Sequence, residues 1–245
     1  MPPAAASTAS SAATPLLMLP GLMCDHAFWQ PFMHLSPGVV CQVVDYGDAD
    51  TLTAMAEAAL ATAPPLFSLA GHSMGGRVAL EIMRLAPGRV VKLILTDTGY
   101  LPLPAGEAGD AERAGRMALV DIAKKDGVQA MCAQWVKAMV HPDRMGDAPL
   151  MDAITAMFMR KRAERFERQQ QALLTRRDAT PVLRTLTLPT LMLCGRQDGW
   201  ANVAQHTAMQ ALAPHASLAV IEDAGHMVLM ERPEATSQAI RTFLD

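Results

Sequence analysis

The chain has 245 residues, 51% of them hydrophobic and 18% charged, with a formal net charge of −3. That length buries a full core, either as one large α/β domain or as one domain carrying an insertion. The near-neutral balance gives no electrostatic case for nucleic acid, and no apolar run is long enough to span a bilayer, so neither nucleic acid nor membrane is an expected partner.

The first stretch, MPPAAASTASSAATP, is uncharged and low in complexity. It lacks the positive start and continuous apolar core of a signal peptide, and residues 1–14 are read as a disordered tail. Leu16 to Leu19 is a short apolar run ended by Pro20-Gly21, and Asp25 to Leu35 reads as a helix capped by Asp25. Val39 to Val44 is strand-like, Leu52 to Ala63 helical, Leu66 to Ala70 a strand, Gly75 to Leu85 a helix stopped by Pro87, and Val90 to Leu95 a strand. Residues 101–185 carry a helical pattern without a strand. Alternation then resumes with Thr190 to Cys194, a helix over Val203 to Leu212, a strand over Leu218 to Ile221 and a helix over Pro233 to Leu244.

Short strands that are apolar along their whole length suit a parallel sheet covered on both faces. Alternation with helices predicts a doubly wound α/β fold of about six parallel strands, with its core in 15–100 and 186–245. The helical segment 101–185 is then a cap inserted after the fourth strand. The four cysteines, Cys24, Cys41, Cys132 and Cys194, show no CxxC spacing and are read as free thiols in a reducing cytoplasm.

Ligands of open parallel sheets bind where the strands end. Beyond the strand Leu66 to Ala70 lies Gly71-His72-Ser73-Met74-Gly75, the G-x-S-x-G pattern in which small residues two before and two after give a sharply turned serine room. The absence of a GK[ST] ending or of G-x-G-x-x-G argues against a phosphate loop. Asp198 follows TLMLCG, and His226 follows the strand Leu218 to Ile221, giving the order Ser, Asp, His. Asp97, after LILT, is a rival acid whose place before the insertion also suits a turn or cap. His72 is expected to point away from the serine, and His26, His34, His141, His206 and His215 lack comparable placement. No ligand spacing such as HExxH is present, and no metal or cofactor is expected.

The motifs LPGLMCD, GHSMGG, LCGRQDG and DAGHMVLMERPE, each after a predicted strand, resemble those of the α/β-hydrolase superfamily, in its group of small capped bacterial serine hydrolases (carboxylesterase-like). The resemblance implies Ser73 as nucleophile, His226 as general base and acid, and Asp198 as the group that fixes the imidazole. It implies an oxyanion hole from the backbone N–H groups of Leu22 and Met74. Two departures stand out: Pro20 replaces the histidine usual in the first loop, and no β-hairpin is expected ahead of the first strand.

The expected reaction is cleavage of carboxylic esters of small, largely apolar substrates through an acyl-enzyme. The same triad acting on an enol-lactone, a thioester, a C–C bond of a ring-cleavage product, perhydrolysis or acyl transfer is the alternative, and a non-catalytic receptor a minor one. Met23, Cys24, Trp135, Phe158 and Met227 are candidates for the pocket, while most cap methionines are expected to fill packing gaps. The run MRKRAERFERQQQALLTRR reads as a solvated helix face, with Arg160, Lys161, Arg162, Arg165 and Arg168 meeting a carboxylate-bearing substrate as the sharper reading. The expected partner is a small ester-like molecule, and the expected state a monomer or homodimer.

Overall fold

The computed structural model describes residues 14–245, and the tail read over 1–14 lies, as far as residue 13, outside them. In chain order the elements are β1 (Leu16–Leu19), α1 (His26–Leu35), β2 (Cys41–Val43), α2 (Leu52–Thr62), β3 (Phe67–His72), α3 (Met74–Leu85) and β4 (Val90–Thr96). Then come α4 (Glu107–Lys125), α5 (Val128–Trp135), α6 (Ala148–Met159), α7 (Ala163–Leu174) and α8 (Thr180–Arg184). The chain closes with β5 (Thr190–Gly195), α9 (Val203–Leu212), β6 (Ser217–Ile221), α10 (Val228–Glu231) and α11 (Pro233–Leu244).

The six strands form one sheet in the order β2-β1-β3-β4-β5-β6, and every neighbouring pair is parallel. β1, β3 and β5 are buried at every residue, because helices cover both faces. The chain runs outward from β1 to β2, then returns past β1 to β3, so the winding reverses between β1 and β3. That reversal opens a crevice beyond the C-terminal ends of the two strands. Helix starts follow local chemistry: Asp25 accepts the Ala27 N–H, Thr51 that of Ala54, and Asn202 that of Gln205. β2 is shorter than the apolar run 39–44 suggests, since Val39 donates to Ser36 O in a turn and Val40 stands exposed at the sheet edge.

Between β4 and β5 the chain is helical, α4 to α8, and contains no strand. Met131, Ile154, Met157, Phe158 and Phe166 are fully buried in this segment, whereas Met145 and Met159 are exposed. The basic run turns out to be a seam. Arg160 grips Asp25 through two hydrogen bonds of 2.9 and 2.8 Å, and Lys161 adds a third at 3.2 Å. Arg165 pairs with Asp45, and Arg168 donates to Asp48 O at 3.0 Å. These side chains fasten the helical segment to the sheet domain, a role that neither sequence reading of the run included. Among the described residues no helix is long and apolar enough to cross a membrane.

Candidate active site

Ser73 sits between β3 and α3 with φ 54° and ψ −116°, a region that residues with a Cβ rarely occupy. The turn is held because Ser73 N–H donates to Thr96 O at 2.9 Å and Thr98 Oγ1 donates to Ser73 O at 2.7 Å. Glycine is required on both sides. A Cβ at Gly71 would strike the backbone of Gly75, and one at Gly75 would strike Leu19 O and Pro20 O. Met23, Asp97 and Asp223 also have positive φ, and with Ser73 each follows a strand on the C-terminal edge of the sheet. Backbone strain is thus concentrated on the edge where the crevice opens.

His226 Nε2 lies 2.8 Å from Ser73 Oγ, and His226 Nδ1 lies 2.7 Å from Asp198 Oδ2. With Asp198 ionised, Nδ1 carries the proton and donates to it, leaving Nε2 free to accept from the Ser73 hydroxyl. The other Asp198 oxygen accepts the N–H groups of Trp200 at 2.8 Å and Ala201 at 3.0 Å. Burial alone would raise the Asp198 carboxyl, but His226 and these two N–H groups hold it well below the ordinary range. Both side chains are almost wholly buried, and Ser73 is partly exposed toward the cavity.

Asp97 is not in contact with His226. Its Oδ1 accepts the Gly195 N–H at 2.9 Å, while Oδ2 has no donor. Burial and the neighbouring Asp198 charge push its carboxyl well above the usual range. His72 points away from Ser73, stacks on Phe28 at 3.8 Å and donates from Nε2 to His226 O at 2.9 Å. Burial and His226 depress its pKa to about 3, which keeps it neutral.

Leu22 and Met74 both line the same cavity, and among the described residues neither N–H has a hydrogen-bond acceptor. Met74 is the first residue of α3, where the helix leaves its N–H groups free and its positive dipole end points outward. With Pro20 in the first loop, other groups hold it. Met23 N–H donates to Gln169 Oε1 on α7 at 2.8 Å, Tyr46 O–H donates to Pro20 O at 3.0 Å, and Cys24 N–H donates to Gly21 O at 3.0 Å.

The cavity over Ser73 measures about 670 Å³. Cys24, Trp135, Phe158 and Met227 line it as anticipated. Met23 does not: its side chain is fully buried beneath the loop, because its left-handed backbone turns it inward. Trp200 completes an aromatic wall, stacked on Trp135 at 5.8 Å and edge-on to His226 at 5.0 Å. Arg77, Arg116 and Arg176 also line the cavity, and the sequence reading singled out none of them. Arg77 falls in the first turn of the helix that follows Ser73, and this nearness in sequence was the one available signal. Glu231 was also missed. It accepts the Gly225 N–H at 2.9 Å and the His141 N–H at 2.7 Å, tying the His226 loop to the cap.

Residues 16–239 match the model of the alpha/beta hydrolase family. The chain is 29% identical over 187 residues to a polyketide synthase of Burkholderia thailandensis; this covers 73% of the chain and spans only 8% of that protein. It is 26% identical over 243 residues to a pimeloyl-[acyl-carrier protein] methyl ester esterase of Photobacterium profundum, covering 94% of each. Among solved structures, a thermophilic esterase from Thermogutta terrifontis superposes with a TM-score of 0.83 at 25% identity, covering 95% of this chain and 90% of that one.

Proposed function

The chain belongs to the alpha/beta hydrolase family, and we propose that it cleaves a carboxylic ester with Ser73 as the nucleophile. The observation that carries this is the continuous chain from Asp198 through His226 to Ser73 Oγ, beside a cavity lined by Leu22 and Met74, whose N–H groups have no acceptor among the described residues. In this reading Ser73 Oγ attacks the ester carbonyl carbon as its proton passes to His226 Nε2. Negative charge gathers on the carbonyl oxygen, which the Leu22 and Met74 N–H groups receive. Losing one such donor typically lowers turnover by about 10²- to 10³-fold. His226 returns the proton to the departing alcohol oxygen, leaving Ser73 acylated. A water then gives its proton to His226 and attacks the acyl carbon; the bond to Ser73 Oγ breaks, His226 returns the proton to that oxygen, and the carboxylic acid leaves. Asp198 keeps the imidazole in one tautomer and balances its charge while it is protonated.

The aromatic and aliphatic lining supports a small, partly apolar substrate. The four unpaired cysteines support a reducing, cytoplasmic setting. The test is hydrolysis of p-nitrophenyl acetate and butyrate by the wild type and Ser73→Ala, with fluorophosphonate labelling of both. Hydrolysis and labelling that both vanish in the variant are expected. Unchanged hydrolysis in Ser73→Ala would refute the mechanism, and ligand binding without turnover or labelling in the wild type would favour a receptor. Thioester and enol-lactone substrates in the same assay separate the bond types the triad can break.

A further inference from the structure

We propose that the substrate carries a carboxylate, held inside the cavity by Arg77 of α3, beside the Arg116 and Arg176 pair. This rests on the hydrolase reading for its reaction, but the subsite itself is argued from the cavity.

Three guanidinium groups line the cavity from separate elements: Arg77 on α3, Arg116 on α4 and Arg176 just beyond α7. One carboxylate, Glu112, answers them. Arg176 grips it with a two-pronged pair, Nη1 to Oε1 at 2.7 Å and Nη2 to Oε2 at 2.8 Å, and Arg116 Nε donates to Oε1 at 2.8 Å. Arg116 is further held by Gln170 Oε1 at 2.8 Å. Glu112 is thereby committed to two arginines, and burial notwithstanding, Arg176 and Arg116 hold its carboxyl at about 2.

Arg77 is left over. Its one hydrogen bond is from Nη1 to Leu101 O at 2.8 Å, and among the described residues it has no ion-pair partner. Burial and the positive charges of Arg176 and Arg116 lower its pKa to about 9. An arginine does not give up its proton at neutral pH, so Arg77 keeps a charge without an ion-pair partner, which a bound anion would offset. A planar fork with free donors matches a carboxylate in shape as well as charge, and the Arg176–Glu112 pair displays that geometry within the same cavity. Arg77 in the first turn of α3 and Ser73 just before it line the same cavity, so one small substrate can reach both.

The experiment compares kcat/KM for three sets of esters. The first is methyl half-esters of the straight-chain dicarboxylic acids from succinate to suberate. The second is acetyl esters of ω-hydroxy acids of matched length, which put the carboxylate on the alcohol side. The third is neutral esters of the same lengths. At least one anionic ester is expected to exceed its neutral counterpart by about ten- to a hundredfold, the value of a charge-assisted hydrogen bond, mainly through a lower KM. Arg77→Gln should bring that ratio close to one, and Arg77→Lys, which keeps the charge but loses the fork, should fall between. Calorimetry of the best half-ester with Ser73→Ala, and with Ser73→Ala/Arg77→Gln, reads the same subsite without turnover, and binding is expected only to the former. Neutral esters cleaved in a Ser73-dependent way with no anionic ester preferred would overturn the subsite and leave the hydrolase reading standing. Arg77-dependent binding with no ester cleaved would uphold the subsite and remove the ester reading.

Discussion

Replacing Asp25 by asparagine isolates the ion pair that clamps the cap to the sheet domain. Asparagine keeps the side-chain oxygen that accepts the Ala27 N–H, so the start of α1 is preserved while the charge and the oxygen that accepts from Arg160 Nε and Lys161 are lost. Burial pushes the Asp25 carboxyl up, but Arg160, the Ala27 N–H and Lys161 outweigh it and bring the pKa from 3.8 down to about 2. A displacement of that size corresponds to at most ~2.5 kcal/mol of folding stability at neutral pH. Asp25 is 14% exposed but Arg160 is 43% exposed, so water screens part of the attraction. The expected loss is then about 1 kcal/mol. For a chain of this size that lowers the midpoint of thermal unfolding by roughly 2–4 °C.

The sign of the pH dependence follows from the lowered pKa. The stabilisation is complete above the unfolded value near 3.8 and drains away as pH falls toward 2. Calorimetric melts of the wild type and Asp25→Asn at pH 7, 5 and 3 should show a constant gap at the first two and about half of it at the third. A gap that is absent at pH 7, or that persists undiminished at pH 3, refutes the ion-pair account.

Three further outcomes test the site. Asp198→Asn should lower kcat on the order of 10⁴-fold, because the amide favours the wrong imidazole tautomer. Asp97→Asn should cost less than about tenfold, since the amide oxygen can keep the bond to the Gly195 N–H and Asp97 makes no hydrogen bond to His226; the reverse ranking in steady-state kinetics would make Asp97 the catalytic acid. Gln169→Leu strips the acceptor from the buried Met23 N–H, at a cost of about 1–3 kcal/mol. It should reduce kcat more than it raises KM, and unchanged kinetics would show that the loop is held without that bond. Gly75→Ala should yield insoluble or inactive protein, because its methyl group and the Leu19 and Pro20 carbonyls need the same space; a soluble, active variant by chromatography and ester assay would contradict the packing around the elbow.

What could be read from the residues was what depends on neighbours in sequence. Wholly apolar strands, the Asp25 cap and the glycines around Ser73 declare themselves within a few positions, and they suffice for six parallel strands and the elbow. Asp198 and His226 were found because their strands end in recognisable turns. The arginine cluster was not legible, because Arg77, Arg116 and Arg176 meet only after α3, α4 and α7 have packed. Gln169 was hidden inside a basic run whose charges drew attention away from a buried amide. Met23 was placed in the pocket by adjacency to Leu22, and only its left-handed backbone sends the side chain inward.

The cap also bears on how the protein reaches its fold. β4 and β5 are paired neighbours, with Thr96 opposite Leu193, yet the whole of α4 to α8 lies between them in sequence. Closing a loop roughly five times longer than the one joining β3 to β4 costs only about 1.5 kcal/mol more in chain entropy. The sheet can therefore carry an excursion of this length, and changes in its length or content, at little thermodynamic expense. The heavier consequence is kinetic: contacts distant in sequence form late, so Ser73 after β3 meets the Asp198 turn and the His226 loop only once the excursion has closed. The order of Ser73, Asp198 and His226 along the sheet edge is thus independent of how long the excursion is.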